Sequence, residues 1–214
     1  MSFFKQFLGI TLESFIESGE TEVKEYLKDK QDDDYYLNLG YTYSSLGKFN
    51  KAIKNYKKAI ERDPNSHTAY LFIGQEYYFS EQYIEAAESF EKAIEIYPAN
   101  PFAYNGLAEV CYDVGLTDDA IENYKKSIEI DPKIGDSYYG IANIYYDIGL
   151  TDDAINNYKK AIEINSEFAS AYFDLAKIYY QLGKTVEANK NFRKAKEINP
   201  EIPYDGLAEV FNSL

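Results

Sequence analysis

Apolar residues recur three or four positions apart along most of this chain, in two successive runs separated by a short polar stretch. A period near 3.6 residues places such positions on one face of an α-helix. The pattern therefore predicts pairs of amphipathic helices, and the pair returns every 34 residues, five times, between Asp33 and Ile202. One pair consists of Tyr138, Ile141, Ala142, Tyr145 and Ile148, then Ala154, Ile155, Tyr158, Ala161 and Ile162.

Residue size repeats with the same period when blocks start at Asp33, His67, Pro101, Gly135 and Ala169. Small residues let helix backbones approach closely, and rings fill the space between neighbouring pairs. Because one helix pair cannot bury both of its faces, the pairs must stack on one another. The repeating positions are 8 (Gly40, Gly74, Ala108, Ala142, Ala176), 20 (Ala52, Ala86, Ala120, Ala154, Ala188), 24 (Tyr56, Phe90, Tyr124, Tyr158, Phe192) and 27 (Ala59, Ala93, Ser127, Ala161, Ala195).

Proline also recurs at position 32 of four blocks, as Pro64, Pro98, Pro132 and Pro200. Together these positions resemble the tetratricopeptide repeat, a helix–turn–helix unit of about 34 residues. The resemblance implies an all-α fold in which antiparallel helix pairs form a right-handed superhelical solenoid. We expect an N-terminal helical cap, five repeats and a C-terminal capping helix. Their predicted ranges are 1–32 for the first cap, 33–66, 67–100, 101–134, 135–168 and 169–202 for the repeats, and 203–214 for the last helix.

The turn inside each repeat carries its own signals. Glycine stands at position 15 in four repeats, and Glu81 replaces it in the second repeat. Helices often end at a residue with a left-handed backbone, which glycine adopts without strain. We therefore expect the turn at Glu81 to differ. Thr117 and Thr151 follow the glycine closely and are candidate N-caps of the second helices, with paired aspartates after them to interact with the helix dipole.

Composition excludes several classes of protein. No run of about 18 apolar residues occurs, so we expect no membrane span. The single cysteine, Cys111, falls on a core position and predicts a packed thiol without a disulfide, which fits a reducing compartment and cytoplasmic localisation. Charged residues interrupt the apolar start, Met1 to Gly19, so we do not expect a secretion signal.

Chemistry-bearing residues are sparse, and we expect no catalytic site, cofactor or metal. His67 is the only histidine and is expected in an exposed turn, and no glycine-rich phosphate loop is present. The net charge of −14 opposes nucleic-acid binding. Paired basic residues recur on the second helices, but glutamates such as Glu122, four residues before Lys126, indicate a solvated outer face.

The N-terminal segment is rich in phenylalanine at helical spacing: Phe3, Phe4, Phe7 and Phe15. Three interpretations stay open for it. It covers the exposed side of the first repeat, pairs with another copy of the chain, or folds back onto the protein's own groove.

The resemblance also implies where a partner binds. In tetratricopeptide arrays the first helix of each pair lines the concave side, and positions 2, 5, 9, 12 and 13 commonly meet a peptide. The predicted wall is aromatic, amide-bearing and acidic, and its tyrosines at position 12 either contact a partner or serve packing. Its residues are Leu37, Tyr41, Leu71, Gln75, Tyr78, Phe79, Phe102, Asn105, Glu109, Tyr112, Asp113, Asp136, Tyr139, Asn143, Tyr146, Asp147, Phe173, Lys177, Tyr180 and Gln181.

These expectations favour a non-enzymatic adaptor that binds a protein or peptide segment with basic and apolar side chains. Truncation of Tyr112 and Tyr146 to alanine is expected to abolish capture. The carboxylate clamp of chaperone-binding members requires lysine at position 5, which none of the five repeats has. The rival hypothesis is a structural subunit that assembles with copies of itself through the phenylalanine-rich segment or the end faces of the array.

Overall fold

The computed structural model describes residues 35–201, and this part of the chain is helical throughout, with short turns between helices. The predicted caps at 1–32 and 203–214 lie outside the described residues. Ten helices form between residues 35 and 201. They are α1 (Tyr35–Ser45), α2 (Phe49–Arg62), α3 (His67–Phe79), α4 (Tyr83–Ile96), α5 (Pro101–Asp113), α6 (Thr117–Ile130), α7 (Gly135–Asp147), α8 (Thr151–Ile164), α9 (Ala169–Gln181) and α10 (Thr185–Ile198).

The helices pack as consecutive pairs, one pair in each predicted 34-residue block. The chain divides into two compact units, with the boundary between Ile96 and Tyr97. Unit 1 contains the pairs α1–α2 and α3–α4, and α2 also packs against α3. Unit 2 contains α5–α6, α7–α8 and α9–α10, with α6 packed against α7 and α8 against α9. The predicted all-α array of helix pairs is confirmed.

The core consists of the repeating small and aromatic residues. All five alanines of position 20 are fully buried, and the rings of position 24 are at most 4% exposed. Close packing explains the small residues, because a Cβ on Gly40 would lie 2.4 Å from Cε1 of Tyr56. Cys111 is buried, as the sequence predicted. Ala59 differs from the other small residues of position 27 in being only half-buried.

The turns correct two predictions. Glu81 has a φ of 57°, in the same left-handed region as the glycines of the other repeats, so the expectation of a different turn was wrong. The backbone closes in the same way, because the N–H of Gln82 donates to the carbonyl of Tyr77 at 2.9 Å, as that of Leu116 does to Cys111 at 2.8 Å. This hydrogen bond requires a left-handed backbone at position 15, and Glu81 adopts it although its side chain disfavours that region.

Thr117 and Thr151 are not N-caps. They are the first residues of α6 and α8, and the caps are Leu116 and Leu150, which make no side-chain cap hydrogen bond. The reason is the short turn, in which the residue that closes the first helix is also the one that starts the second. The aspartates that follow the threonines do lie in the first turns of these helices, as predicted.

A prediction about His67 was also wrong. His67 begins α3 and is half-buried, because Ser66 already caps the helix by accepting a hydrogen bond from the N–H of Ala69 at 3.4 Å. Lys126 pairs with Glu129 at 2.8 Å, three residues later, and both side chains are exposed, in agreement with the predicted solvated outer face. None of the helices between residues 35 and 201 is long and apolar enough to cross a membrane.

Candidate functional site

In unit 1 the predicted partner-binding residues form an aromatic surface. The ring of Tyr41 is 43% exposed and lies 5.9 Å from that of Phe72. Tyr78 lies 5.7 Å from Phe79, whose side chain is 70% exposed. Leu37 and Gln75 are half-buried. Leu71 is buried, so its placement on an accessible wall was wrong.

In unit 2 hydrogen bonds join the first helices of adjacent repeats, α5 to α7 and α7 to α9. Each bond links a tyrosine to the residue 35 positions later, and this common spacing keeps the three helices in the same register. The links are Tyr112 to Asp147, Tyr139 to Asp174 at 2.7 Å, and Tyr146 to Gln181, whose amide N–H donates to the tyrosine oxygen at 2.8 Å.

These links give the tyrosines of position 12 a structural role within the protein. Burial, followed by the hydrogen bond to Asp147, raises the pKa of Tyr112, so its hydroxyl stays a neutral donor. The rings of Tyr112 and Tyr146 are half-buried, whereas Tyr180, the last of the series, is exposed. The hydroxyls of Tyr112 and Tyr146 are hydrogen-bonded to other residues of the same chain, so any contact with a partner uses the accessible parts of the rings.

A chain of hydrogen-bonded polar groups begins at the buried Ser127 and Ser137 and ends at the half-buried Glu109. Ser137 Oγ lies 2.8 Å from both Ser127 Oγ and Asn105 Oδ1, and Asn105 Nδ2 donates to Glu109 Oε1 at 3.0 Å. Since a hydroxyl carries one proton, Ser127 donates to Ser137, and Ser137 donates to Asn105. The chain fixes the Asn105 amide with its N–H group toward the carboxylate.

Glu109 has an unusual acidity for a glutamate. Burial is the main cause, and the neighbouring Asp136 and Asp113 add to it, so that the pKa of Glu109 is raised to about 7 although the hydrogen bond from Asn105 lowers it. The carboxyl group therefore loses its proton near neutral pH, well above the range of an exposed glutamate. A cation placed beside it would favour the charged form.

The other predicted residues of α7 and α9 are also engaged. The Tyr158 hydroxyl donates to Asn143 at 2.6 Å, and the Tyr139 ring lies 4.8 Å from that of Phe168. Lys177 donates to Asp174 at 3.1 Å and lies over the Phe173 ring on the same helix. Lys177 thus offsets the charge of Asp174, whereas the predicted wall residues Asp113, Asp136 and Asp147 are exposed.

Phe102 and Tyr180 are the most exposed aromatic residues of this surface. Phe102 follows Pro101 at the start of α5, where Asn100 caps the helix by accepting a hydrogen bond from the Phe102 N–H at 3.1 Å. Its side chain is 53% exposed. The surface, called the first-helix face of unit 2, comprises Phe102, Asn105, Glu109, Tyr112, Asp113, Tyr139, Asn143, Tyr146, Asp147, Phe173, Lys177 and Tyr180.

Sequence reasoning missed three residues that shape this face. Asp174 lies outside the positions that the resemblance implied, yet it bonds both Tyr139 and Lys177. Ser127 and Ser137 replace alanines found at the same positions of other repeats. The two departures in one pair of neighbouring repeats were a signal for a buried polar pair. Among the described residues, no group of three or more His, Cys, Asp or Glu side chains could hold a metal ion.

Comparisons with known proteins agree with this architecture. Family descriptions named tetratricopeptide repeat match residues 34–66, 67–100 and 169–202, and one named TPR repeat matches residues 110–149 and 142–183. No curated protein sequence matches the chain.

Solved structures resemble the chain over most of its length. The crystal structure of MamA is 30% identical, with a TM-score of 0.62, over 76% of this chain and 95% of that one. TTC0263, a thermophilic TPR protein of Thermus thermophilus, is 19% identical with a TM-score of 0.70, over 85% of this chain and 98% of its own. YrrB, a TPR protein with an unusual peptide-binding site, is 23% identical with a TM-score of 0.59, over 88% and 97%.

An all-α array of paired helices with small and aromatic residues at fixed positions defines a helical repeat protein. The chain belongs to the tetratricopeptide repeat family.

Proposed function

We propose that this protein is a non-enzymatic adaptor that binds a basic and apolar segment of a partner protein on the first-helix face of unit 2. The observation that carries the proposal is the combination of exposed rings, Phe102 and Tyr180, with the exposed carboxylates of Asp113 and Asp147 on one set of aligned helices. The family consists of protein-interaction scaffolds, and the similar protein YrrB has a peptide-binding site, described as unusual.

The rings supply most of the expected affinity. Phe102 and Tyr180 can each bury a rigid apolar surface at little cost in side-chain entropy, and anchors of this kind typically lose about 2 kcal/mol or more when truncated. The surrounding face is already ordered by the links between Tyr112 and Asp147 and between Tyr146 and Gln181. A partner therefore meets a surface that needs little rearrangement.

The acids determine which segments are accepted. Lysine or arginine of the partner can lie on the ring faces while Asp113, Asp147 and Glu109 attract its charge. Lys177 is the only basic residue among the twelve of the face, and Asp174 already pairs with it. An acidic segment would have to approach these carboxylates without compensation and should be rejected.

Affinity capture from the native host tests the proposal. Phe102→Ala combined with Tyr180→Ala should abolish capture of the partner, because both side chains are exposed and neither is a buried core residue. Truncation of Tyr112 and Tyr146 is a less suitable test, since it also breaks the links between helices. Val186→Ala, at an exposed position of α10, is the matched control. Circular dichroism should show equal helicity, and undiminished capture by the double variant would refute this assignment.

Molar mass in solution separates the adaptor from a self-assembling subunit. The adaptor is expected to be a monomer with and without residues 1 to 19. A multimer that becomes monomeric when these residues are removed would favour assembly through the phenylalanine-rich segment.

A further inference from the structure

The turns between the two helices of each repeat in unit 2 expose aliphatic side chains. Five of them, at positions 14 and 16 of the repeats, are each between 46% and 53% exposed. They are called the turn row and are Val114, Leu116, Ile148, Leu150 and Leu182. None of them belongs to the first-helix face.

The links between the first helices bring these turns together. Tyr112 bonds Asp147 and Tyr146 bonds Gln181 within the last two residues of α5, α7 and α9, directly before the three turns. The turns therefore lie side by side. With neighbouring helices on the order of 10 Å apart, the row spans roughly 20 Å, which matches a helix of about 13 residues.

The turns themselves do not need these leucines. Position 16 is Leu116 in one turn but Lys184 in another, and the same backbone bond closes both, to Cys111 and to Tyr179, at 2.8 Å. Gln82 closes the corresponding turn of unit 1 at 2.9 Å. The turn forms equally well with a polar residue at position 16, so its conformation does not require leucine. The exposed leucines therefore leave apolar surface available for a partner.

Aspartates border the row on both sides. In the turns that contain Leu116 and Leu150 they stand at position 13 before the turn and at positions 18 and 19 after it, and all of them are exposed, whereas the turn that contains Leu182 has no aspartate at these positions. The six are Asp113, Asp118, Asp119, Asp147, Asp152 and Asp153. A second copy of the same row would bring like charges together, and the net charge of −14 adds to this repulsion. Anionic lipid headgroups would be repelled for the same reason.

We propose that the turn row is a second docking surface, which binds a basic amphipathic helix of a partner protein. The apolar face of that helix packs on the five aliphatic side chains, and its lysines and arginines reach the aspartates on either side. The surface is separate from the first-helix face and shares only Asp113 and Asp147 with it as a border.

A peptide selection tests this proposal. Random peptides of about 16 residues are displayed as a library and selected for binding to the full chain. Enriched peptides should combine lysine or arginine with aliphatic residues three or four positions apart. Leu116→Ser with Leu150→Ser should weaken their binding by at least about tenfold, the effect of losing buried anchors. Phe102→Ala with Tyr180→Ala should leave it unchanged, which separates the turn row from the proposed function.

Each other outcome would overturn the proposal. Enrichment of acidic peptides, or of peptides whose binding is not weakened by Leu116→Ser with Leu150→Ser, would show that the turn row is not the docking site. If Leu116→Ser with Leu150→Ser abolished binding to phosphatidylserine vesicles, the row would be a membrane contact. If the same double substitution abolished a concentration-dependent dimerisation, the row would bind a second copy of the chain. Thermal unfolding of the serine variant should match that of the unchanged protein, because polar residues already occupy this turn position.

Discussion

Replacement of Glu109 by glutamine should stabilise the protein and weaken partner binding at the same time. Glu109 is half-buried at the end of the chain formed by Ser127, Ser137 and Asn105, beside two aspartates, and its pKa is raised to about 7. Glutamine has the shape of the protonated acid and carries no charge. The substitution therefore removes the cost of ionising a carboxyl group in this environment.

The size of the effect follows from the pKa. A rise from 4.5 to about 7 corresponds to at most about 3 kcal/mol between the charged and neutral forms. Because Glu109 keeps some contact with solvent, which screens its charge, we expect a gain of about 1–2 kcal/mol at pH 8.5. Folding favours the protonated acid, so the stability that Glu109 contributes is present at low pH and is lost as the pH rises through about 7.

Urea unfolding between pH 5.5 and 8.5, read by circular dichroism and by amide exchange in α5, measures the gain. The difference between Glu109→Gln and the unchanged protein should grow from pH 5.5 to pH 8.5, because the stability is lost progressively between pH 4.5 and about 7. Glu122→Gln, at an exposed position of α6, is the control and should leave stability unchanged at each pH.

Binding provides the second readout of the same variant. A cationic segment stabilises the ionised form of Glu109, so its affinity for the unchanged protein should increase from pH 6 to 8, and Glu109→Gln should lose both affinity and this pH dependence. A variant that is less stable than the unchanged protein at pH 8.5, or that shows the same pH profile, would refute the reasoning.

Two further predictions concern stability in unit 1. Glu76 is 3% exposed and its Oε2 has no hydrogen-bond partner; burial raises its pKa, although a hydrogen bond with Ser44 lowers it. Glu76→Val should therefore stabilise the protein by about 1–3 kcal/mol at pH 7.5, with a smaller gain toward pH 5.5, where protonation costs less. Urea unfolding checks this, and a loss of stability would mean that the bond with Ser44 outweighs the cost of burying the carboxyl group. Glu81→Gly should stabilise by about 1 kcal/mol by relieving the left-handed backbone, whereas Glu81→Ala, which keeps that strain, should give no gain in the same melts.

The fold was predictable because its information is local and repeated. The 3.6-residue spacing predicts each helix, and the small residue at Gly40 leaves room for the ring of Tyr56 on the paired helix. Five copies of the same pattern strengthen each prediction. The left-handed turn was recognisable where glycine marks it, but at Glu81 the repeat closure outweighs the preference of the side chain, which sequence spacing alone does not show.

The site was less predictable because its contacts join different repeats. The bond from Tyr139 to Asp174 depends on how neighbouring first helices align, and no single 34-residue block contains both residues. The acidity of Glu109 likewise depends on burial and on Asp136 of the next repeat. Residue types on the face could be predicted from the resemblance, whereas the engagement of the tyrosine hydroxyls could be seen only from the structure.

Photo-crosslinking tests the binding of a partner to the first-helix face of unit 2 most directly. A photoreactive amino acid replaces Tyr180, exposed on α9, or Asn156, exposed on the second helix α8, in the full chain within the native host. We predict a crosslinked partner from position 180 and none from position 156. A partner that crosslinks at 156 and not at 180 would contradict the assignment of binding to this face.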